Sequence, residues 1–138
     1  MSAVLEWDLK GLAAELARLT PEARARVKPV LVDGAERIRS RYLASVSGDG
    51  VESVGRGTKV VVLPDPSDLS ARVANPSPLG HLHEFGTVDR YTATGAYRGR
   101  MPARPRFVPI AEEERARTAQ ALAGALDGLQ GDRYLRAG

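Results

Sequence analysis

Apolar residues first recur at helical spacing at Leu9, Leu12, Ala13, Leu16 and Leu19, with Asp8 placed as an N-cap. Thr20, Pro21 and Glu22 then restart the helix: a hydroxyl cap, a proline whose missing N–H costs nothing there, and an acid at the positive helix end. Val27, Leu31, Ile38, Tyr42 and Val46 continue the apolar stripe, and Pro29 and Gly34 interrupt it, which predicts a kink or break. Residues 1–46 are therefore expected to be helical, and the four glycines of "SVSGDGVESVGRGTK" predict a flexible loop over 47–58.

The period then shortens. "KVVVL" (59–63) and "LSARVA" (69–74) read as an antiparallel pair joined by "PDPSD", and "HLHEF" (81–85) alternates as a third strand closing on Gly86. Residues 86–109 carry few regular signals and read as a long extended loop. A helix is expected over 110–129, with Glu112, Glu113 and Glu114 in its first turn and an apolar face of Ala121, Leu122, Ala125, Leu126 and Leu129. Residues 130–138 form a tail. This order of helices, strands and helix predicts a single α+β domain over 1–138, with the sheet covered on one face.

Composition narrows the function. A chain of 138 residues suits one domain, and only seven aromatics leave Ala, Val and Leu to fill the core. There is no cysteine, which excludes a disulfide framework and a Cys-based metal site. "MSAVLEWDLK" does not read as a secretory signal, and no apolar run approaches the roughly 20 residues that span a bilayer, so a cytosolic product without membrane contact is expected. The net charge of +3 comes from many arginines and only three lysines. Arginine pairs bidentately with carboxylates and phosphates and serves protein interfaces and nucleic acid alike.

Candidate chemistry is sparse. On a strand, His81 and His83 would share one side at a spacing that suits a metal, but a third ligand would have to come from Glu84, on the opposite face, or from Asp65, Asp68 or Asp89. A triad would need Ser70 or Ser77 with His81, and no nucleophile elbow supports it. "GDGVESVGRGTK" is glycine-rich without Walker spacing. No enzyme, cofactor or metal is expected. A helix pair at 9–19 and 21–46, with Arg24, Arg26, Lys28, Arg37, Arg39 and Arg41 toward phosphate, is the basis of an alternative, a DNA-binding module that also uses the basic 90–106 loop.

That loop is the strongest signal. Arg90, Arg98, Arg100, Arg104 and Arg106 fall within seventeen residues, interleaved with Tyr91 and Tyr97 and followed by Phe107. Arginine with aromatics is the composition of interface anchors and of nucleic-acid grooves. Pro102, Pro105 and Pro109 stiffen the segment and lower the entropy lost on docking.

"HLHEFGT", followed some fifteen residues later by "MPARPRFVPIAEEE", resembles the neck or tail-completion (minor tail) proteins of long-tailed bacteriophages. The elements that carry the resemblance are Glu84, Phe85, Gly86 and Thr87, then Met101, Pro102, Ala103, Arg104, Pro105, Phe107 and Pro109, within a span of roughly residues 10–127. Arg106 departs from the family pattern as an insertion before Phe107, and the glycine loop at 48–57 replaces a Pro-Gly-rich element. The resemblance implies a structural virion protein: a homo-oligomeric ring of six or twelve subunits at the head–tail junction. Its partners would be head-completion and tail-terminator or tail-tube proteins, with non-specific contact to DNA in the lumen. On that reading Glu84, Phe85, Gly86, Thr87, Met101, Pro102, Arg104, Pro105 and Phe107 are interface or loop anchors, with Arg104 pairing a carboxylate and Phe107 filling an apolar pocket on a neighbour. Arg90, Arg98, Arg100 and Arg106 are candidates to face DNA. Within the subunit, Gly86 is expected to permit the turn, Phe85 to anchor it in the core, and Glu84 to accept hydrogen bonds that pin the loop.

Overall fold

The structure, a computed structural model, describes residues 5–8, 19–87, 90–100 and 102–127, with only the backbone described for 5–8, Arg90, Arg98, Leu126 and Asp127. It is an α+β fold. Helix α1 spans Pro21–Gly48 and helix α3 spans Phe107–Asp127, with the short helix α2 at Pro78–Phe85 between them. Strands β1 (Leu5–Asp8), β2 (Lys59–Val62) and β3 (Ala71–Asn75) form an antiparallel sheet in the order β1-β3-β2. Strands β4 (Arg90–Tyr91) and β5 (Tyr97–Gly99) form a separate hairpin.

Helix α1 starts where its sequence dictates. Thr20 is extended, its hydroxyl accepts the Ala23 N–H at 3.3 Å, and Pro21 fills the first turn. The expected stripe is buried: Val27, Leu31, Ile38, Tyr42 and Val46 all face the core, with Ala23 and Ala35 beside them. The expected break at Pro29 does not occur. Pro29 and Ala25, whose carbonyl loses its i+4 N–H donor to the proline, both lie on the exposed face, where that carbonyl is open to solvent. Gly34 is buried for another reason. A Cβ there would collide with the Thr118 hydroxyl, so the glycine lets α1 and α3 cross closely.

The β2–β3 pair is as expected, with Lys59 opposite Ala74 and Val62 opposite Ala71. The third strand is not. It is β1, antiparallel to β3 with Leu5 opposite Asn75 and Asp8 opposite Arg72, so Asp8 belongs to a strand. The helix expected over 9–19 lies outside the described residues apart from Leu19, which is buried.

"HLHEF" is the second half of α2, and five residues of alternation are too few to tell a strand from a helix. The capping chemistry decides it. The Asn75 side-chain oxygen accepts the Ser77 N–H at 3.0 Å, Pro78 occupies the first turn, and Gly86, at φ 72°, ends the helix. The glycine-rich segment after α1 is also more ordered than its composition predicts: a 3-10 turn at Glu52–Gly55 buries Val54.

One core runs between α1, β3 and α3, with Tyr42 meeting Phe107 edge to face at a 5.2 Å ring separation. The α3 stripe that faces α1 is Phe107, Ala111, Glu114, Thr118 and Leu122. It begins three residues before the expected helix start and includes two polar residues that the apolar pattern passes over. Glu112, Glu113 and Glu114 consequently sit beyond the first turn.

Candidate interaction arm

Glu84, on the last turn of α2, is 3 % exposed, and its carboxylate holds the start of α3. One oxygen accepts the backbone N–H of Arg106 at 2.9 Å and of Phe107 at 2.8 Å, and the other accepts that of Val108 at 2.9 Å. A helix leaves its first N–H groups without intrahelical partners. Here Glu84 takes three in succession, and the next residue, Pro109, has none to satisfy. The cap is thus supplied from 22 residues away in sequence, at the positive end of the helix dipole.

Arg106 adds a second clamp. Its guanidinium donates to the Ser45 carbonyl and hydroxyl, each at 3.1 Å, and pairs with Asp49 at the end of α1. Phe107 beside it is 1 % exposed. These contacts correct two expectations: Phe107 fills the core of its own subunit, and Arg106 is engaged within the chain rather than turned outward to DNA. Apolar bulk drives Phe107 inward, and the nearby helix end and Asp49 supply Arg106 with acceptors.

Between these fixed points the chain leaves and returns. Gly86 N–H donates to the Leu82 carbonyl at 2.7 Å, and Arg104 N–H donates to the His83 carbonyl at 2.8 Å. Both feet of the 86–105 segment therefore rest on α2. Gly86 serves the turn as expected, because at φ 72° a side chain would strain the backbone. The segment also holds more regular structure than expected. Its outer part is the β4–β5 hairpin, in which Tyr91 pairs with Tyr97. Thr92 N–H donates to the Ala96 carbonyl at 2.7 Å, the Thr92 hydroxyl accepts the Ala96 N–H at 2.9 Å, and Gly95 takes a positive φ. The return limb, 102–106, has no regular secondary structure, and Pro102, Arg104 and Pro105 are exposed on it.

The aromatic residues of this arm face outward. Tyr91 is 63 % and Tyr97 61 % exposed, their ring centroids 5.5 Å apart. Phe85, expected in the core, is instead 55 % exposed and lies 5.0 Å from the His81 ring. The helix explains this: with Glu84 turned inward, the next residue falls roughly 100° round the axis. Arg100 is exposed, and Thr87 is half-buried at the foot. Met101 and the side chains of Arg90 and Arg98 lie outside the described residues.

Two polar networks support the arm from below. Asn75 is fully buried and donates to the Tyr42 hydroxyl at 2.9 Å and to the Val54 carbonyl at 2.8 Å, while its oxygen fixes the start of α2. Burial pushes the Tyr42 phenol up from its ordinary pKa; the Asn75 bond opposes this, the Glu84 charge adds to it, and the Arg106 charge offsets it. Further along α1, the buried Glu114 carboxylate of α3 accepts Arg37 Nε at 2.8 Å and Arg41 Nη1 at 3.0 Å, and Arg117 lies 3.3 Å away. Burial acts to raise the Glu114 pKa, but the Arg37 and Arg41 hydrogen bonds and the Arg117 charge prevail and hold it below the usual carboxylate range.

These contacts bear on the DNA-binding alternative. Arg37 and Arg41 bond to Glu114, Arg41 also reaches Glu113 at 2.6 Å, and Arg39 Nε donates to the Thr58 carbonyl at 3.1 Å. Lys28 Nζ donates to the carbonyls of Leu63 and Asp65. Four of the six cations on the expected phosphate face thus hold α1 to its own fold.

The metal reading loses its geometric premise. On α2, His81 and His83 are two residues apart and project roughly 200° from one another. Among the described residues no group of three or more His, Cys, Asp or Glu side chains is placed to hold a metal ion, and no helix is long and apolar enough to cross a membrane.

Comparison with family models, with curated proteins and with solved structures gives no match to this chain.

Proposed function

We propose that this chain is a structural virion protein of the bacteriophage head–tail junction, a neck or tail-completion subunit that assembles as a ring joining the head connector to the tail. The observation that carries the reading is the clamped arm. Both feet of the 86–105 segment are bonded to α2, and Glu84 fastens the end of the return limb and the start of α3 to the same helix, yet Tyr91, Tyr97 and Phe85 are left exposed, as are Arg100 and Arg104. Aromatic and guanidinium groups carried on a segment whose two feet are already bonded suit docking on another protein, because held feet reduce the entropy lost on binding. The same residues carry the resemblance to the phage family, Glu84-Phe85-Gly86-Thr87 and the Pro-Arg segment that returns to Phe107.

The ring would form by repeated contacts between two different patches on each subunit, closing by rotation. The anchor set is revised: Glu84, Gly86 and Phe107 build the arm from within, whereas Phe85, Pro102, Arg104 and Pro105 are available to a neighbour. The experiment is electron microscopy of particles assembled with and without the chain. Heads and tails that fail to join without it, and a labelled chain at the junction when it is supplied, are the expected results. Complete infectious particles lacking it would overturn the reading.

A further inference from the structure

The arm accounts for one half of a contact between subunits, and the rest of the surface offers a candidate for the other half. Among the described residues six large apolar side chains are substantially exposed, and all but Leu63 lie between 79 and 108, on α2, the arm and the first turn of α3. Leu63, at 49 % exposure, stands alone at the end of β2, an edge strand of the main sheet. It opens the β2–β3 turn, which carries Asp65 and Asp68.

Charge and position both match the arm. Each aspartate accepts the N–H of the serine two residues on, Ser67 at 2.9 Å and Ser70 at 2.7 Å, which orders the turn and holds both carboxyls below their ordinary pKa. The two carboxylates outnumber the single Lys28 ammonium bonded to the same turn, which leaves an ordered rim of net negative charge beside an exposed leucine, while the arm carries Arg100 and Arg104 together with exposed aromatics. Their points of attachment lie far apart within one chain. Lys28 holds the turn near the start of α1, whereas Arg106 ties the arm to Ser45 near its end, roughly 25 Å further along at 1.5 Å per residue. Complementary patches at opposite ends of one rigid helix join copies head to tail.

We propose that the arm of one copy docks on the β2–β3 turn of the next copy, with Tyr91, Tyr97 and Phe85 around Leu63 and with Arg100 and Arg104 against Asp65 and Asp68. This deepens the ring reading and rests on it, naming the two surfaces that meet.

The absence of cysteine makes the test direct. In the full chain, the double variant Leu63→Cys/Tyr97→Cys should give a ladder of disulfide-linked oligomers on mild oxidation, while either single variant gives none. Adding Arg100→Glu/Arg104→Glu should abolish the ladder. In sedimentation, Asp65→Asn/Asp68→Asn, which keeps the oxygen acceptors of both turns, should weaken self-association of the otherwise unaltered chain at least about tenfold, and thermal melting controls for folding. No ladder from the double variant, a ladder that survives the arginine reversals, or an unaltered chain that stays monomeric would each overturn the proposal. Self-association that persists in the charge variants defeats this contact and leaves the ring reading standing. Association lost in those variants, by a chain absent from the head–tail junction, defeats the ring reading and upholds the contact.

Discussion

The Glu84 carboxylate and the backbone N–H of Phe107 lie 2.8 Å apart, joining the end of one helix to the start of another across 23 residues of sequence. The same carboxylate holds Arg106 and Val108, so removing it exposes three buried or half-buried donors at once. Hydrogen bonds to a charged group contribute about 1.5–3 kcal/mol, and orphaned donors add their own desolvation cost. Glu84→Ala should lower unfolding stability by about 3 kcal/mol in urea titration. Glu84→Gln, which retains one acceptor oxygen and turns an amide toward the remaining donors, should lose nearly as much. In both variants amide exchange should accelerate first at 106–108, and a protection pattern like the wild type's would show that the cap is dispensable.

Phe107 and Phe85 exchange the roles that their sequence context suggests, and substitutions should separate them. Phe107 is fully buried against Tyr42, so Phe107→Ala should cost about 3–5 kcal/mol in folding and impair assembly only through that loss. Phe85 is mostly exposed, so Phe85→Ala should change stability by less than about 0.5 kcal/mol while weakening association between subunits. Thermal melts and sedimentation of the two variants side by side provide the check. A large loss of stability in Phe85→Ala would contradict the assignment.

These two residues also mark where the sequence is legible. The α1 stripe and the β2–β3 pair could be read directly because each lies within a short window whose apolar period is clean. Glu84's ability to hold the loop could be anticipated from its residue type beside Gly86. Its actual targets could not, since a helix cap supplied from another helix has no local signature. The start of α3 was hidden for that reason: Arg106 precedes it where a Ser, Thr, Asp or Asn would ordinarily announce an N-cap. Glu114 and Thr118 concealed its buried face, because their burial depends on Arg37 and Gly34, far away in sequence. Helix α2 was misread as a strand because five alternating residues fit both periods, and the deciding Asn75–Ser77 bond lies upstream of them.

Acid should weaken the α1–α3 contact through Glu114. Its carboxyl titrates below the usual carboxylate range in the folded chain and near 4.3 when unfolded, so the unfolded state binds the proton more readily. The stabilisation is therefore fully present above a pH of about 4.3 and is lost as the pH falls through the folded value. Denaturation midpoints of the wild type should decline over that acidic window. In Glu114→Gln the part of the decline owed to this group should disappear, and stability at neutral pH should be lower by about 3 kcal/mol. Identical pH profiles for the two proteins would remove Glu114 from the account.

The helix crossing at Gly34 yields a prediction that a list of contacts would miss. A methyl group there meets the Thr118 hydroxyl well inside van der Waals distance, and the Thr118 β- and γ-carbons at 3.3 Å. Gly34→Ala would otherwise gain about 1 kcal/mol, because alanine is the better helix former. The clash opposes this gain and should reverse it, so that the single variant melts lower than the wild type. Thr118→Ala removes the hydroxyl that causes the worst overlap, at the cost of the 3.4 Å bond from Arg37. The two changes share one space and should not add: Gly34→Ala should be markedly less harmful, or even stabilising, in the Thr118→Ala background. Melting all four proteins closes the cycle. Strict additivity would mean that α1 and α3 cross with room to spare at this point, and that Gly34 is not what sets their approach.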